Sequence, residues 1–376
     1  MRFTKTIIVS FFLMLSFGIF LNAQVHIKRL NNAKPIIDKT LFEKNGIPED
    51  GKNINGPCVI ALPDWLPVEK RVNPTAKYYL YFAHHNGSYI RMAWAKEIIG
   101  PWQLYNADST ISEPNRGVIS LYGDGKTKEI LLANSIEISS HIASPIVQID
   151  NENKRFKLFF HGPTKLTSED KTDQRNFLAY SDDGIQFQKN ISPVMLAGSY
   201  LYPFNYKGKY YGFSNGGLFH EAPATGAIDK APKNFDYSKT LWSSRNNFFK
   251  EAIAKMNDND FRVRHTSVYL ENDLLHIFFS SSHDTPEQIY YCSANLNRVN
   301  SENWKVTTFY PIMRASESWE GGDIEPIESL GGPAKSMINE VRDPSIFKDN
   351  DGKLYLFYCA GGERGIGVAS LEFVKK

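Results

Sequence analysis

Apolar residues along this chain fall in short runs that alternate with polar ones, and each run is bounded by Gly, Pro, Asn or Asp. A period of two is the signature of strands, and the bounding residues are those of turns. Helical periodicity is scarce; residues 249–256 form the best short candidate. One frame recurs: a polar or X-Pro start, a short apolar strand, a polar turn, then a strand rich in Tyr and Phe. The last copy is the clearest. Arg342-Asp343-Pro344 opens a strand, 348–353 form the turn, Leu354-Tyr355-Leu356-Phe357-Tyr358 follow, and 365–369 add a third strand. Ser144-Pro145, Tyr202-Pro203, Arg264-His265 and, more loosely, Gly56-Pro57 open four further copies. Asp183-Gly184 before Phe187, and Gly100-Pro101 before Trp102, supply turns followed by an aromatic side chain able to plug the gap between neighbouring sheets.

Five units give roughly 70 residues each, enough for a four-stranded blade plus loops. Radial repetition spares short antiparallel sheets their long exposed edges. The frame therefore predicts an all-β, five-bladed β-propeller. A β-sandwich or β-helix is the alternative, and a sandwich gives no reason for a five-fold recurrence. The expected division is a signal peptide over 1–23, a lead-in segment over 24–50 and the propeller over 51–376. The leader follows from basic Arg2 and Lys5, an apolar stretch to Leu21 and small Ala23 before a cut at Gln24. It implies an exported protein, periplasmic or extracellular, with no membrane association once the leader is gone.

Charge narrows the partners. With Arg2 and Lys5 lost, the 43 basic residues fall to match the 41 acidic ones, so no basic field is left to attract nucleic acid. Cys58, Cys292 and Cys359 are few and far apart, without C-x-x-C spacing, and read as buried free thiols. No ligand spacing argues for a metal or other cofactor. There is no G-x-S-x-G elbow, P-loop or H-E-x-x-H, so esterase, nucleotidase and zinc-protease chemistry lack support.

In a propeller the five innermost strands start at one end of the channel, so polar residues there converge. The candidates are Asp64, His141, Arg264, His265, Arg342 and Asp343. His84 and His85 close a strand, where alternation lets only one of them face a site. Ser318-Trp319-Glu320-Gly321-Gly322-Asp323, with Glu325 behind it, is acid-rich and precedes the fifth inner strand by about twenty residues. It can cross the channel mouth, with Trp319 as a stacking face for a sugar ring. Asp64 and Glu320 are the expected catalytic carboxylates, with Asp323 as alternate. His84, His85, His141, Arg264, His265, Trp319, Arg342 and Asp343 would bind substrate. Two carboxylates of divided acidity are what glycoside hydrolysis requires; about 6.5–9.5 Å between them implies inversion and about 5–5.5 Å retention.

At Arg342-Asp343-Pro344 and 351–358, and in the Phe187 and Trp102 blade endings, the chain resembles the five-bladed propeller glycosidases of the family 43, 32, 62 and 117 superfamily. Pro63-Asp64-Trp65, His84-His85, 141–145, Arg264-His265-Thr266, Trp319-Glu320-Gly321 and Arg342-Asp343-Pro344 look like stretches shared by uncharacterised secreted bacterial proteins of that superfamily. The resemblance implies a carbohydrate substrate. Family 43 enzymes place Asp, Asp and Glu at the first three inner strands. Here the second start carries His141 and Ser144 and the third Tyr202, so that trio does not transfer. The expected function is an exo-acting glycosidase that removes a terminal sugar from plant or algal polysaccharide fragments. A non-catalytic carbohydrate-binding propeller is the alternative. A polysaccharide lyase, with His141 as base and Arg264 neutralising a uronate, is the third.

Overall fold

The computed structural model describes residues 24–374 apart from 124–126, 189, 225–227, 246–247, 257–259, 299–300 and 330; the expected leader, 1–23, lies outside them. The chain is a five-bladed β-propeller. The inner strands are Asn55–Ala61, Ala143–Asp150, Tyr202–Tyr206, Arg262–Glu271 and Val341–Lys348, each paired antiparallel with the next strand outward. The 24–50 segment is more than a lead-in. Gln24–Arg29 is the outermost strand of the last blade, paired with Gly365–Val374 in the register Gln24 to Val374 through Arg29 to Ala369. The ring is thus closed inside a blade, by strands from the two ends of the described chain. The helix expected over 249–256 is present as Lys250–Ala254.

Alternation explains the packing. In Tyr78–Ala83, Tyr79 and Tyr81 face the second blade while Leu80 and Phe82 face the fifth. In Leu354–Ala360, Leu356 and Tyr358 face the fourth blade, and Tyr355, Phe357 and Cys359 the first. Both faces of every sheet are buried, so the apolar core consists of five clusters, one at each interface between blades. Apolar burial at about 25 cal/mol per Å² drives this assembly, and it needs bulky residues on both sides of each strand. That is why Tyr and Phe crowd the second strands. Phe187 and Trp102 take the plug positions: Phe187 sits edge-on to Tyr81 across the first interface, and Trp102 is buried between the fifth and first blades. Cys58, Cys292 and Cys359 are buried free thiols. Among the described residues no helix is long and apolar enough to cross a membrane.

Candidate functional site at the end of the channel

Each blade presents one residue in the left-handed backbone region where its inner strand meets the axis: Gly56 (φ 61°), Ser144 (50°), Tyr200 (58°), His265 (50°) and Asp343 (53°). Register shifts at Asn55/Cys58, Arg264/Ser267 and Arg342/Ser345, and opposite Ala143, mark β-bulges there. A bulge re-aims a side chain. In the third blade the left-handed residue is Tyr200, two positions before the expected Tyr202; Pro203 of the repeat is not the axial proline that Pro57, Pro145 and Pro344 are. For a non-glycine residue this backbone costs about 1–2 kcal/mol. Four of the five positions bear that cost, which directs attention to their side chains. All five blades line one narrow space at the axis, through Gly56, Ser144, Tyr200, His265, Asp343 and their neighbours.

Around this point lies a buried charge cluster. Arg342 is 1% exposed and stands 2.6 Å from Glu363 Oε1, 3.2 Å from Glu340 Oε1 and 4.0 Å from Glu287 Oε2. Arg264 Nε lies 3.0 Å from Glu287 Oε1, and Ser329 donates its hydroxyl to the other oxygen of Glu287. Glu363 also accepts from Asn53 and, at 3.0 Å, from Asn55, and meets His85 Nδ1 at 3.0 Å. Asp343 accepts the Gly56 N–H at 3.1 Å and meets His265 Nδ1 at 3.0 Å. From there an aromatic ladder continues: His265 on Tyr200 with ring centroids 4.1 Å apart, Tyr200 on His161 at 4.5 Å, and His161 edge-on to His141 at 6.4 Å.

The same surroundings divide the acidities. Burial would raise Glu363, but the Arg342 charge and the His85 contact outweigh it and hold the carboxyl down to about 2. Asp343 is likewise buried, yet His265, Arg342 and Arg264 keep it well below the usual carboxylate range. Glu340 goes the other way. Burial lifts it to about 7; Arg342 opposes this, and the charges of Glu287 and Glu363 reinforce it. Neither Glu340 oxygen has a hydrogen-bond donor among the described residues, because the nearby Arg342 Nε–H is not aligned with it. Burial pushes His161 well below the ordinary imidazole value, and His141 down, so both rings are neutral at pH 7. Burial also raises the Tyr200 phenol. Among the described residues no group of three or more His, Cys, Asp or Glu is disposed to hold a metal.

Of the residues singled out in the sequence, His85, His141, Arg264, His265, Arg342 and Asp343 meet here. His84 turns onto its own loop, its Nδ1 accepting the Asn86 N–H at 3.1 Å. The remaining expectations need correction. Asp64 is exposed and lies beyond Ala61, the far end of an inner strand about 20 Å long. Its neighbour Trp65 bonds Asn151, which likewise follows the far end of the second inner strand. Glu320 is fully buried and already saturated: two bonds from Arg29 (2.8 and 2.7 Å), one from Tyr358 (2.8 Å) and two from the Ser316 and Glu317 N–H groups. Trp319 gives its indole N–H to Ala33 O at 2.7 Å and lies over Tyr358. It grips the N-terminal segment. Asp323 is an exposed acceptor for Ser318. The loop's side chains clasp the closing strand while its backbone passes the site, with Glu340 N–H pointing at Glu320 O at 3.4 Å.

Sequence reading missed Asn53, Asn55, His161, Tyr200, Glu287, Glu340 and Glu363. A signal existed for some of them. His85, Glu287 and Glu363 each follow the second strand of a blade, after Tyr78–Ala83, Leu274–Ser282 and Leu354–Ala360. The repeat frame therefore places the Glu287 and Glu363 loops beside the His85 loop.

No protein-family model matches the chain. It is 27% identical over 335 residues to an uncharacterised protein of Acanthamoeba polyphaga mimivirus, covering 85% of this chain and 83% of the relative. Among solved structures it is similar to a thermostable family-43 glycoside hydrolase, with TM-score 0.50 and 14% identity over 85% of this chain and 88% of that one. An endo-arabinase from Bacteroides thetaiotaomicron aligns with TM-score 0.48 and 12% identity, covering 87% and 96%. At this identity the likeness to the first of these establishes the five-bladed fold.

Proposed function

We propose that the protein is an exported glycoside hydrolase, exo-acting on plant or algal polysaccharide fragments, with its reaction centre at the channel end around Arg342. One observation carries the reading: carboxylates of divided acidity, Glu340 raised to about 7 and Glu363 lowered to about 2, share one buried guanidinium beneath a rim of imidazoles. A buried field that divides acidities is what glycosidic cleavage demands of the place that holds its proton donor and acceptor. The reaction centre thus moves from Asp64 and Glu320 to the channel end where the fourth, fifth and first blades meet.

The test is a panel of defined arabino-, xylo- and galacto-oligosaccharides, with chromatography of the products. Release of single terminal sugars is expected. Calorimetric binding of an intact oligosaccharide with no release would make the protein a carbohydrate-binding propeller instead. A lyase reading draws on a separate observation. The Tyr200 phenol has no hydrogen-bond partner among the described residues and stands on His265, within reach of the Arg264 charge. Ultraviolet-absorbing unsaturated products from a polyuronate would establish elimination in place of hydrolysis.

A further inference from the structure

The groups of this cluster that keep exposed atoms are not its carboxylates. His85 and His265 retain 19% and 11% of their side-chain surface, against 2% each for Glu363 and Asp343. His141 and Tyr200 are half-buried at the same rim. His85 is hydrogen-bonded through Nδ1, at 3.0 Å, to Glu363, and His265 Nδ1 stands 3.0 Å from Asp343 Oδ1 as a charge contact that is not aligned as a hydrogen bond. An ionised carboxylate beside Nδ1 favours the tautomer that carries its proton there and leaves the lone pair on Nε2, through a hydrogen bond at His85 and through charge alone at His265. The carboxylates cannot turn toward a ligand themselves. Glu363 is pinned by Asn53, Asn55 and Arg342, and Asp343 by the Gly56 N–H. The His265 ring is also braced by Tyr200.

We propose that proton transfer at this site runs through the Nε2 atoms of His85 and His265, with Glu363 and Asp343 acting through them as positioning residues. This rests on the hydrolase reading and specifies its atoms. One imidazole, neutral, takes a proton from the attacking water as the water oxygen bonds the anomeric carbon. The other, protonated, gives its proton to the glycosidic oxygen as the carbon–oxygen bond breaks. One water is consumed, and the two rings, having exchanged protonation states, re-equilibrate with solvent. Imidazole is the commonest side chain for such transfers because its ordinary acidity lies near neutrality.

Two measurements on the full chain test this. Long-range ¹⁵N–¹H correlation of the ¹⁵N-labelled protein should find His85 and His265 as Nδ1–H tautomers in their neutral forms. Nε2–H tautomers overturn the proposal whatever the activity. With the first oligosaccharide of the panel that is cleaved, His85→Gly and His265→Gly should each lose at least about 100-fold in kcat, and added imidazole should restore about tenfold of it. Glycine also relieves the left-handed backbone at 265, which offsets part of the cost of leaving Asp343 without its imidazole, and circular dichroism of both variants checks that the fold is kept. Glu363→Gln and Asp343→Asn should lose about 10- to 100-fold and gain nothing from imidazole. Full activity in either glycine variant overturns the proposal. A wild-type chain that shows the expected tautomers but cleaves nothing in the panel overturns the hydrolase reading alone.

Discussion

Glu320 and Glu340 are both fully buried, both stand beside an arginine, and a backbone hydrogen bond links them. Their surroundings differ in one respect. Glu320 has every lone-pair direction answered, by Arg29, Tyr358 and two backbone N–H groups. Glu340 has a cation nearby, two competing carboxylates and, among the described residues, no aligned donor. A saturated buried ion is a fastener, because removing either partner strands the other. An unsaturated one holds its proton abnormally, and that is a condition chemistry can use. Burial and an arginine neighbour do not distinguish the two cases; the donor inventory does.

The strongest way to break this comparison is Glu320→Ala. It strands Arg29 and frees the closing strand, so stability should fall by about 3–5 kcal/mol in urea denaturation, with activity per folded molecule retained. Lost activity at unchanged stability would return Glu320 to the site. Glu340→Gln sharpens the contrast. Because folding raises this carboxyl from 4.5 to about 7, the native state binds a proton that the unfolded chain releases. Its contribution is full below pH 4.5 and is lost as pH rises to about 7, so the variant should gain about 1–3 kcal/mol at pH 8 and little at pH 4. Glu363 slopes oppositely: its contribution is present above pH 4.5 and is lost as pH falls toward 2. A pH series of urea midpoints reads both. The smallest effect belongs to Asp64→Asn, which should change stability by no more than about 0.5 kcal/mol and leave turnover intact. A large loss would relocate the site to the other end of the channel.

The propeller was legible because each blade repeats one local grammar: a polar opening, alternating strands, a turn and an aromatic plug. The convergence of His141, Arg264-His265 and Arg342-Asp343 followed from that frame. The third blade slipped by two residues because Tyr202-Pro203 imitates the axial X-Pro, and nothing local reveals that Tyr200 bends left-handed instead. Glu320 was misread for a different reason. What its carboxylate does depends on Arg29, 291 positions away, and no local pattern encodes that partner. Glu340 and Glu363 sit in turns that look solvated in sequence, and only the closed ring removes them from water.

The position of the closing strand has a consequence for how the molecule comes into being. Lys28 and Ser370, 342 residues apart, are linked across the seam, so the strand of Gln24–Arg29, first in the chain, waits for the rest of its sheet until nearly all of the chain is present. The entropy of joining such distant segments grows only logarithmically with their separation, but finding the register is a late and non-local event. The first four sheets can stack as an open arc. Arg29 reaches Glu320 only when the arc becomes a circle, and the same closure brings Arg342 and Glu363 of the last sheet up to Asn53, Asn55 and His85 of the first.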